Sequence, residues 1–178
     1  MTTQRLFVAL PVVPSFIKTF EALPRTGFNG RWTHGDDLHI TIRFLGDVAE
    51  FRVPDIVAAL RRVRRPAFHL DIRGLDVFHQ DKQDVLYAKV EGMRKLMTLC
   101  ADITDVLQPL HFDFGMRPYH PHVTLARLSP TKALGPYIKK YERQVNAHWQ
   151  VADFALMRSA HPDEKGRHYD IIETFPLK

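Results

Sequence analysis

Two short stretches of this 178-residue sequence repeat one pattern of reactive side chains. The first reads His39-Ile40-Thr41-Ile42 and the second His122-Val123-Thr124-Leu125. Side chains alternate faces along a strand, so residues i and i+2 point the same way. His39 would then project with Thr41, and His122 with Thr124, while Ile40, Ile42, Val123 and Leu125 turn into apolar packing. A single His-x-Thr would read as structural. Two copies, each in a β-rich stretch flanked by aliphatics and separated by just under half the chain, point to two related halves that each give one strand to a shared cleft.

Paired histidines across a cleft suit phosphodiester chemistry. Imidazole titrates near neutrality, so one ring can take a proton while the other gives one. Threonine hydroxyls can hold phosphate oxygens by hydrogen bonds. No metal is needed where such donors also meet the charge that develops on phosphorus. Metal binding is the competing reading, since His120-Pro121-His122 has the His-x-His spacing of some zinc sites and His34 and His39 are available to join it. No acidic or His-rich partner motif accompanies it, so no metal and no cofactor are expected.

The elements that must position these residues follow from periodicity. Residues 4–11 read as a strand that is apolar on both faces and hence central. A short helix follows over 14–23, ended by Pro24. A short strand is expected over 31–34, and a β-branched one over 38–45, closing at Gly46-Asp47. A helix entered near Pro54 runs to about Arg64, before Pro66. Residues 67–77 and 85–90 form a hairpin, and 93–107 make the longest helix. Residues 112–121 are loop, and 122–128 carry the second motif as a strand. A helix over 131–141 is expected to break or shift at Gly135-Pro136. Two last strands span 148–159 and 167–175, around the polar turn that begins at His161. Strands joined by such short turns predict an α+β fold of mostly antiparallel sheet with helices packed outside.

Composition narrows the function classes. The hydrophobic fraction is 45% and the charged fraction 25%, ordinary for a globular chain. The net charge of +5 is compatible with an anionic ligand without requiring one. The densest basic run, Arg61, Arg62, Arg64 and Arg65, reads first as the solvated end of a helix, where cations offset the dipole, and second as a phosphate site. One cysteine, Cys100, rules out an internal disulfide and a Cys-rich zinc site, and its apolar surroundings read as packing. The apolar run from Leu6 to Val13 is interrupted by Pro11 and is too short to span a membrane. The expectation is a cytoplasmic monomer with no membrane partner.

Beyond the two motifs, the sequence resembles the 2H phosphoesterase superfamily, and within it the RNA 2′,3′-cyclic phosphodiesterases, also called 2′-5′ RNA ligases. The resemblance runs through Arg5-Leu6-Phe7-Val8-Ala9-Leu10, Trp32 and Asp37 to Val48. It continues through Tyr119 to Arg127 and Phe154 to Ser159, and ends with Gly166, Tyr169 and Phe175-Pro176-Leu177. It implies one 2H phosphoesterase unit over residues 1–178, bilobal with pseudo-two-fold symmetry. Two intertwined lobes, each built on a mostly antiparallel sheet flanked by helices, would enclose a central cleft. It implies hydrolysis of a 2′,3′-cyclic phosphate on RNA or a nucleotide to a 2′-phosphomonoester. His39 and His122 would be the catalytic pair, by analogy general acid and general base in that order. Thr41 and Thr124 would bind phosphate.

Arg127 is placed at the site in the family, yet simple alternation puts it on the opposite face from Thr124, so a bend or bulge is required there. Phe7 and Phe44 either stack a nucleobase or pack the core, with Trp32 and Tyr119 as weaker stacking candidates. His34, His69, His79, His111, His148, His161 and His168 read as surface or structural. Arg43 departs from the family's usual residue without touching the chemistry. The alternatives within the class are 2′-5′ ligation and cleavage of 2′-5′-linked oligonucleotides. The alternative outside it is a non-catalytic module that binds RNA ends.

Overall fold

The computed structural model describes residues 2–115, 118–160 and 166–178. His161 and most of its turn lie outside them. The strands are β1 (Thr3–Pro11), β2 (Gly30–Trp32), β3 (His39–Ala49), β4 (Phe68–His79), β5 (Asp84–Glu91), β6 (His122–Leu128), β7 (Asn146–Val151), β8 (Asp153–Ser159) and β9 (Tyr169–Pro176). The helices are α1 (Pro14–Glu21), α2 (Val53–Leu60), α3 (Arg94–Leu107) and α4 (Leu134–Tyr141).

Among the described residues the strands form one antiparallel sheet in the order β7-β4-β5-β6-β3-β1-β8-β9, with β2 paired to β6. The expected two sheets are therefore two halves joined edge to edge, β3-β1-β8-β9 on one side and β7-β4-β5-β6 with β2 on the other. The join is a single bridge, Ile40 opposite Val123, the residues between His and Thr in each motif. The halves are also interwoven. β4 follows the first motif in sequence but sits beside β5 in the second motif's half, and β8 follows the second motif but sits beside β1.

The sheet's helix-covered face holds the main core. Leu6, Val8 and Leu10 of β1 and Ile40 and Ile42 of β3 pack in one cluster with Phe20, Ile56, Leu60, Leu99, Ile103 and Leu107 from the helices. On its other face β1 packs Phe7 and Ala9 against Ala155 and Met157. This two-sided burial explains its unbroken apolar sequence, as expected of a central strand. Ile40 and Val123 are both fully buried. Ile40→Ala is expected to lower the free energy of unfolding by about 2–5 kcal/mol, read as a drop in the urea midpoint at unchanged slope.

Two elements differ from the sequence reading. The stretch read as one strand over 148–159 is two, because the chain crosses from one half to the other at Ala152. β7 is buried at Ala147, Trp149 and Val151, whereas Phe154 and Leu156 carry the core contact of β8, so the phase of alternation slips by one. Helix α4 is shifted rather than broken: it begins at Leu134 instead of residue 131 and runs through Gly135-Pro136. Pro136 sits in its first turn, where its missing N–H has no intrahelical partner to lose. Strand β3 also runs past Gly46, which takes a positive φ of 76° beside a register shift. The basic run, read first as the last turn of a helix, lies just past the end of α2, with Arg61 bonded to Glu173 and Arg65 to Asp102.

Candidate active site

The open face of the sheet carries a cavity of about 670 Å³. His39, Thr41, His122, Thr124, Arg127, Phe7 and Phe44 all line it.

The two histidines are held alike. Each ring nitrogen Nδ1 lies against the backbone carbonyl two residues earlier, His39 on Asp37 at 2.7 Å and His122 on His120 at 2.8 Å. A carbonyl only accepts, so Nδ1 carries the proton in both rings and each neutral imidazole keeps its lone pair on Nε2. That Nε2 of His39 is 3.1 Å from the Thr41 hydroxyl. Each ring also rests on two aromatics. Phe7 and Tyr169 lie 5.0 and 5.1 Å from His39, and Phe78 and Tyr87 lie 5.1 and 5.3 Å from His122. Burial is the main influence lowering the pKa of both rings below the ordinary histidine value. The bonded Asp37 carbonyl and the Asp37 charge oppose this at His39, while His122 and Arg127 add to it. The bonded His120 carbonyl opposes it at His122, while His120 and Arg127 add to it.

A β-bulge settles how Arg127 reaches the cavity. In the β5–β6 pairing, Tyr87 faces Thr124 and Leu86 faces Ala126, so Leu125 is an extra residue. Leu125 and Ala126 are both buried, and Arg127 returns to the face of His122 and Thr124. The same device stands in the other half. Ala9 faces Thr41 and Val8 faces Arg43, leaving Ile42 extra and bringing Phe44 back to the cavity side. Phe44 and Arg127 therefore hold equivalent places, each three residues after its threonine. Carbonyls at the bulges are occupied, as buried backbone polar groups require. Thr41 accepts from the Tyr119 hydroxyl at 2.8 Å, Ile42 from the Cys100 thiol at 3.7 Å, and Leu125 from the Thr33 N–H at 2.8 Å.

The two phenylalanines part company. Phe7 is only 3% exposed and its ring backs His39. Phe44 is 47% exposed, with the Arg5 guanidinium 5.0 Å from its ring centroid. Trp32 lines the cavity, while Tyr119 spends its hydroxyl on Thr41.

Several lining residues carry no role in the sequence reading. Asp37 is 2% exposed. Its carboxylate accepts from the backbone N–H of His168 at 2.8 Å and of Tyr169 at 3.2 Å, and faces His168 Nδ1 at 3.3 Å. It thus ties the start of β9, and with it Tyr169, to His39. His34 and His168, read as surface or structural, stand on the cavity wall with Arg5, Arg31 and Ser159. The remaining described histidines lie elsewhere. His69 stacks on His148 at 4.9 Å, His79 bonds the buried Asp84 at 2.7 Å, and His111 closes a turn at a φ of 59°. Among the described residues no group of three or more His, Cys, Asp or Glu is arranged to hold a metal ion, and no helix is long and apolar enough to cross a membrane.

A curled antiparallel sheet with helices on one face and two His-x-Thr strands meeting over a cavity on the other defines the class. The model of the 2′-5′ RNA ligase superfamily matches residues 13–163, and the chain belongs to that family. Its relatives include the RNA 2′,3′-cyclic phosphodiesterase of Thermus thermophilus, 31% identical over 150 residues that cover 79% of this chain and 72% of that one. The protein of the same name from Thermotoga maritima is 30% identical over 131 residues, 70% of each chain. The fold matches the crystal structure of E. coli LigT complexed with 3′-AMP at a TM-score of 0.79, with 23% identity and 99% of both chains covered.

Proposed function

We propose that this chain hydrolyses a terminal 2′,3′-cyclic phosphate on RNA or a nucleotide to a 2′-phosphomonoester, by two-histidine acid–base catalysis without a metal. The observation that carries the proposal is the matched pair of imidazoles on one cavity, each held through Nδ1 so that Nε2 is the nitrogen left for proton transfer, that of His39 lying 3.1 Å from the Thr41 hydroxyl. His122 takes a proton from the attacking water, and the new P–O bond forms as the bond to the 3′-oxygen breaks. His39, in its protonated form, gives its proton to that leaving oxygen. Thr41, Thr124 and Arg127 hold the phosphate oxygens and meet the charge that builds on them. Phe44 offers its exposed ring to the nucleobase, while Phe7 supports His39 from behind. The relatives named RNA 2′,3′-cyclic phosphodiesterase support the substrate class.

The test is product analysis of an RNA ending in a 2′,3′-cyclic phosphate, incubated in excess EDTA. The expected product is the 2′-phosphate alone. A 3′-phosphate would overturn the regiochemistry, activity lost to EDTA the metal independence, and tight RNA-end binding with no turnover the catalytic reading.

Arg127→Ala is expected to lower kcat/KM by about tenfold to a hundredfold, the range for losing a charged hydrogen-bond donor on an anion. It also removes a cation that depresses both histidines, so both limbs of the pH–kcat/KM profile should move to higher pH. Arg127→Lys should restore the limbs more fully than the rate, since it returns the charge without the two-pronged geometry.

A further inference from the structure

We infer that His120 holds His122 in the role of base, and that the side chain two residues before each histidine decides which imidazole gives the proton and which takes it; this rests on the proposed two-histidine chemistry. Each ring bonds the carbonyl of that earlier residue, Asp37 for His39 at 2.7 Å and His120 for His122 at 2.8 Å. The backbones are thus equivalent, and the side chains they carry are opposite in kind. Asp37 brings a buried carboxylate, held by the backbone N–H groups of His168 and Tyr169. His120 brings an exposed imidazole, its ring centroid 6.2 Å from that of His122. The His-x-His spacing that could serve a metal here places one ring's charge beside another.

Packing fixes that spacing. Phe78 and Tyr87 stack at 4.1 Å, and both histidines stand on edge against the pair, His120 at 5.2 and 5.8 Å and His122 at 5.1 and 5.3 Å. An imidazole gains positive charge as pH falls, and a cation at His120 opposes a second one at His122. Each influence has the sign its role needs. The Asp37 charge raises the His39 pKa and favours an imidazolium that can give a proton, while His120 lowers that of His122 and favours a neutral ring that can take one. Arg127 lowers both and does not tell them apart. Around His122 also stand Lys89, opposite it on β5, His39 across the join, and Tyr87, whose phenol is pushed up to about 12 by burial and by Asp76. His120 itself lies off the cavity, in a neighbouring hollow lined by Arg43, Asp113 and Tyr119, whose phenol burial also raises. All of these stay in place when residue 120 alone is changed. His120 acts through His122 and is a positioning residue.

The experiment measures kcat/KM for 2′,3′-cyclic AMP across pH in wild type, His120→Gln, His120→Lys and His120→Asp. In parallel, NMR follows the His122 ring signal of the substrate-free proteins through the same pH range. A base must be neutral, so His122 sets the acid limb. His120→Gln should move that limb to higher pH by about half a pH unit, the interaction of two unit charges about 6 Å apart in a water-like medium. His120→Asp, which gives His122 the charge that Asp37 gives His39, should move it further. His120→Lys returns a cation and should return the limb. The alkaline limb should stay in all three, and the NMR titrations should fall in the same order. A ring that merely braces His122 would slow every variant without ranking the limb by charge. An acid limb unmoved in His120→Gln and His120→Asp overturns the inference and leaves hydrolysis standing. So does a limb moved alike by His120→Gln and His120→Lys, or a shift confined to the alkaline limb. Failure of wild type to open the cyclic phosphate would remove the underlying function, and the role of His120 with it, whatever the NMR titrations show.

Discussion

His39→Ala and His122→Ala are each expected to lower kcat for cyclic phosphate opening by about 10²–10⁴-fold, the usual contribution of a positioned acid or base. Their pH profiles should separate them. A base must be neutral, so the wild-type rate falls as pH drops through the His122 pKa. An acid must be protonated, so it falls as pH rises through the His39 pKa. His122→Ala should flatten the acid limb and His39→Ala the alkaline limb. Burial lowers both rings in the free protein, so both limbs of kcat/KM should lie on the acid side of the ordinary value near 6.5. A bound phosphate anion favours the protonated rings, so the limbs of kcat should lie at higher pH than those of kcat/KM. Limbs exchanged between the two variants would reverse the assignment of acid and base. Profiles unchanged in both would end the two-histidine model.

Asp37→Asn should lower kcat by about ten- to a hundredfold, as small misplacements of a catalytic group do, with a smaller change in KM. The carboxylate accepts two backbone N–H groups of the β9 start and holds Tyr169 against His39. An amide offers a single acceptor oxygen and turns donors toward donors. The change also has an electrostatic signature. The Asp37 charge raises the His39 pKa, so its removal lowers that pKa. His39 must be protonated to act as the acid, and the alkaline limb should therefore move to lower pH while the His122 limb stays. A purely structural role would reduce the rate and leave both limbs in place. Kinetics across pH, beside a urea melt of the variant, distinguish the two.

How much of this was legible in the sequence depends on how local each cause is. The His-x-Thr strands were readable because period two is written in adjacent residues, and the family pattern made a bulge after Thr124 a requirement. The matching bulge at Ile42 had no such cue. Phe44 already looks inward-facing or outward-facing by choice of register, and only pairing with β1 decides it. Nothing near Asp37 in sequence marks its role, because its partners are backbone groups at His168 and Tyr169, far along the chain. Neither His34 nor His168 belongs to a repeat, yet the chain folds both onto the cavity wall. The crossing at Ala152 left a trace that could have been caught, a slip in the alternation between Val151 and Phe154. The single bridge between the halves was out of reach, since nothing local says how two motif strands meet.

That bridge has a consequence for reversibility. On the proposed chemistry the transition state at phosphorus has its own near two-fold relation, with entering and departing oxygens at opposite apices and the remaining oxygens around the waist. A scaffold whose halves meet at Ile40 and Val123 offers each apex an equivalent imidazole, so forward and reverse displacement encounter nearly the same machinery. Direction must then come from whatever spoils the equivalence. One such difference is that one half presents the ring of Phe44 to the cavity and the other the cation of Arg127. Exchanging the side chains at those places would invert the polarity with which a nucleotide lies across an otherwise even-handed centre.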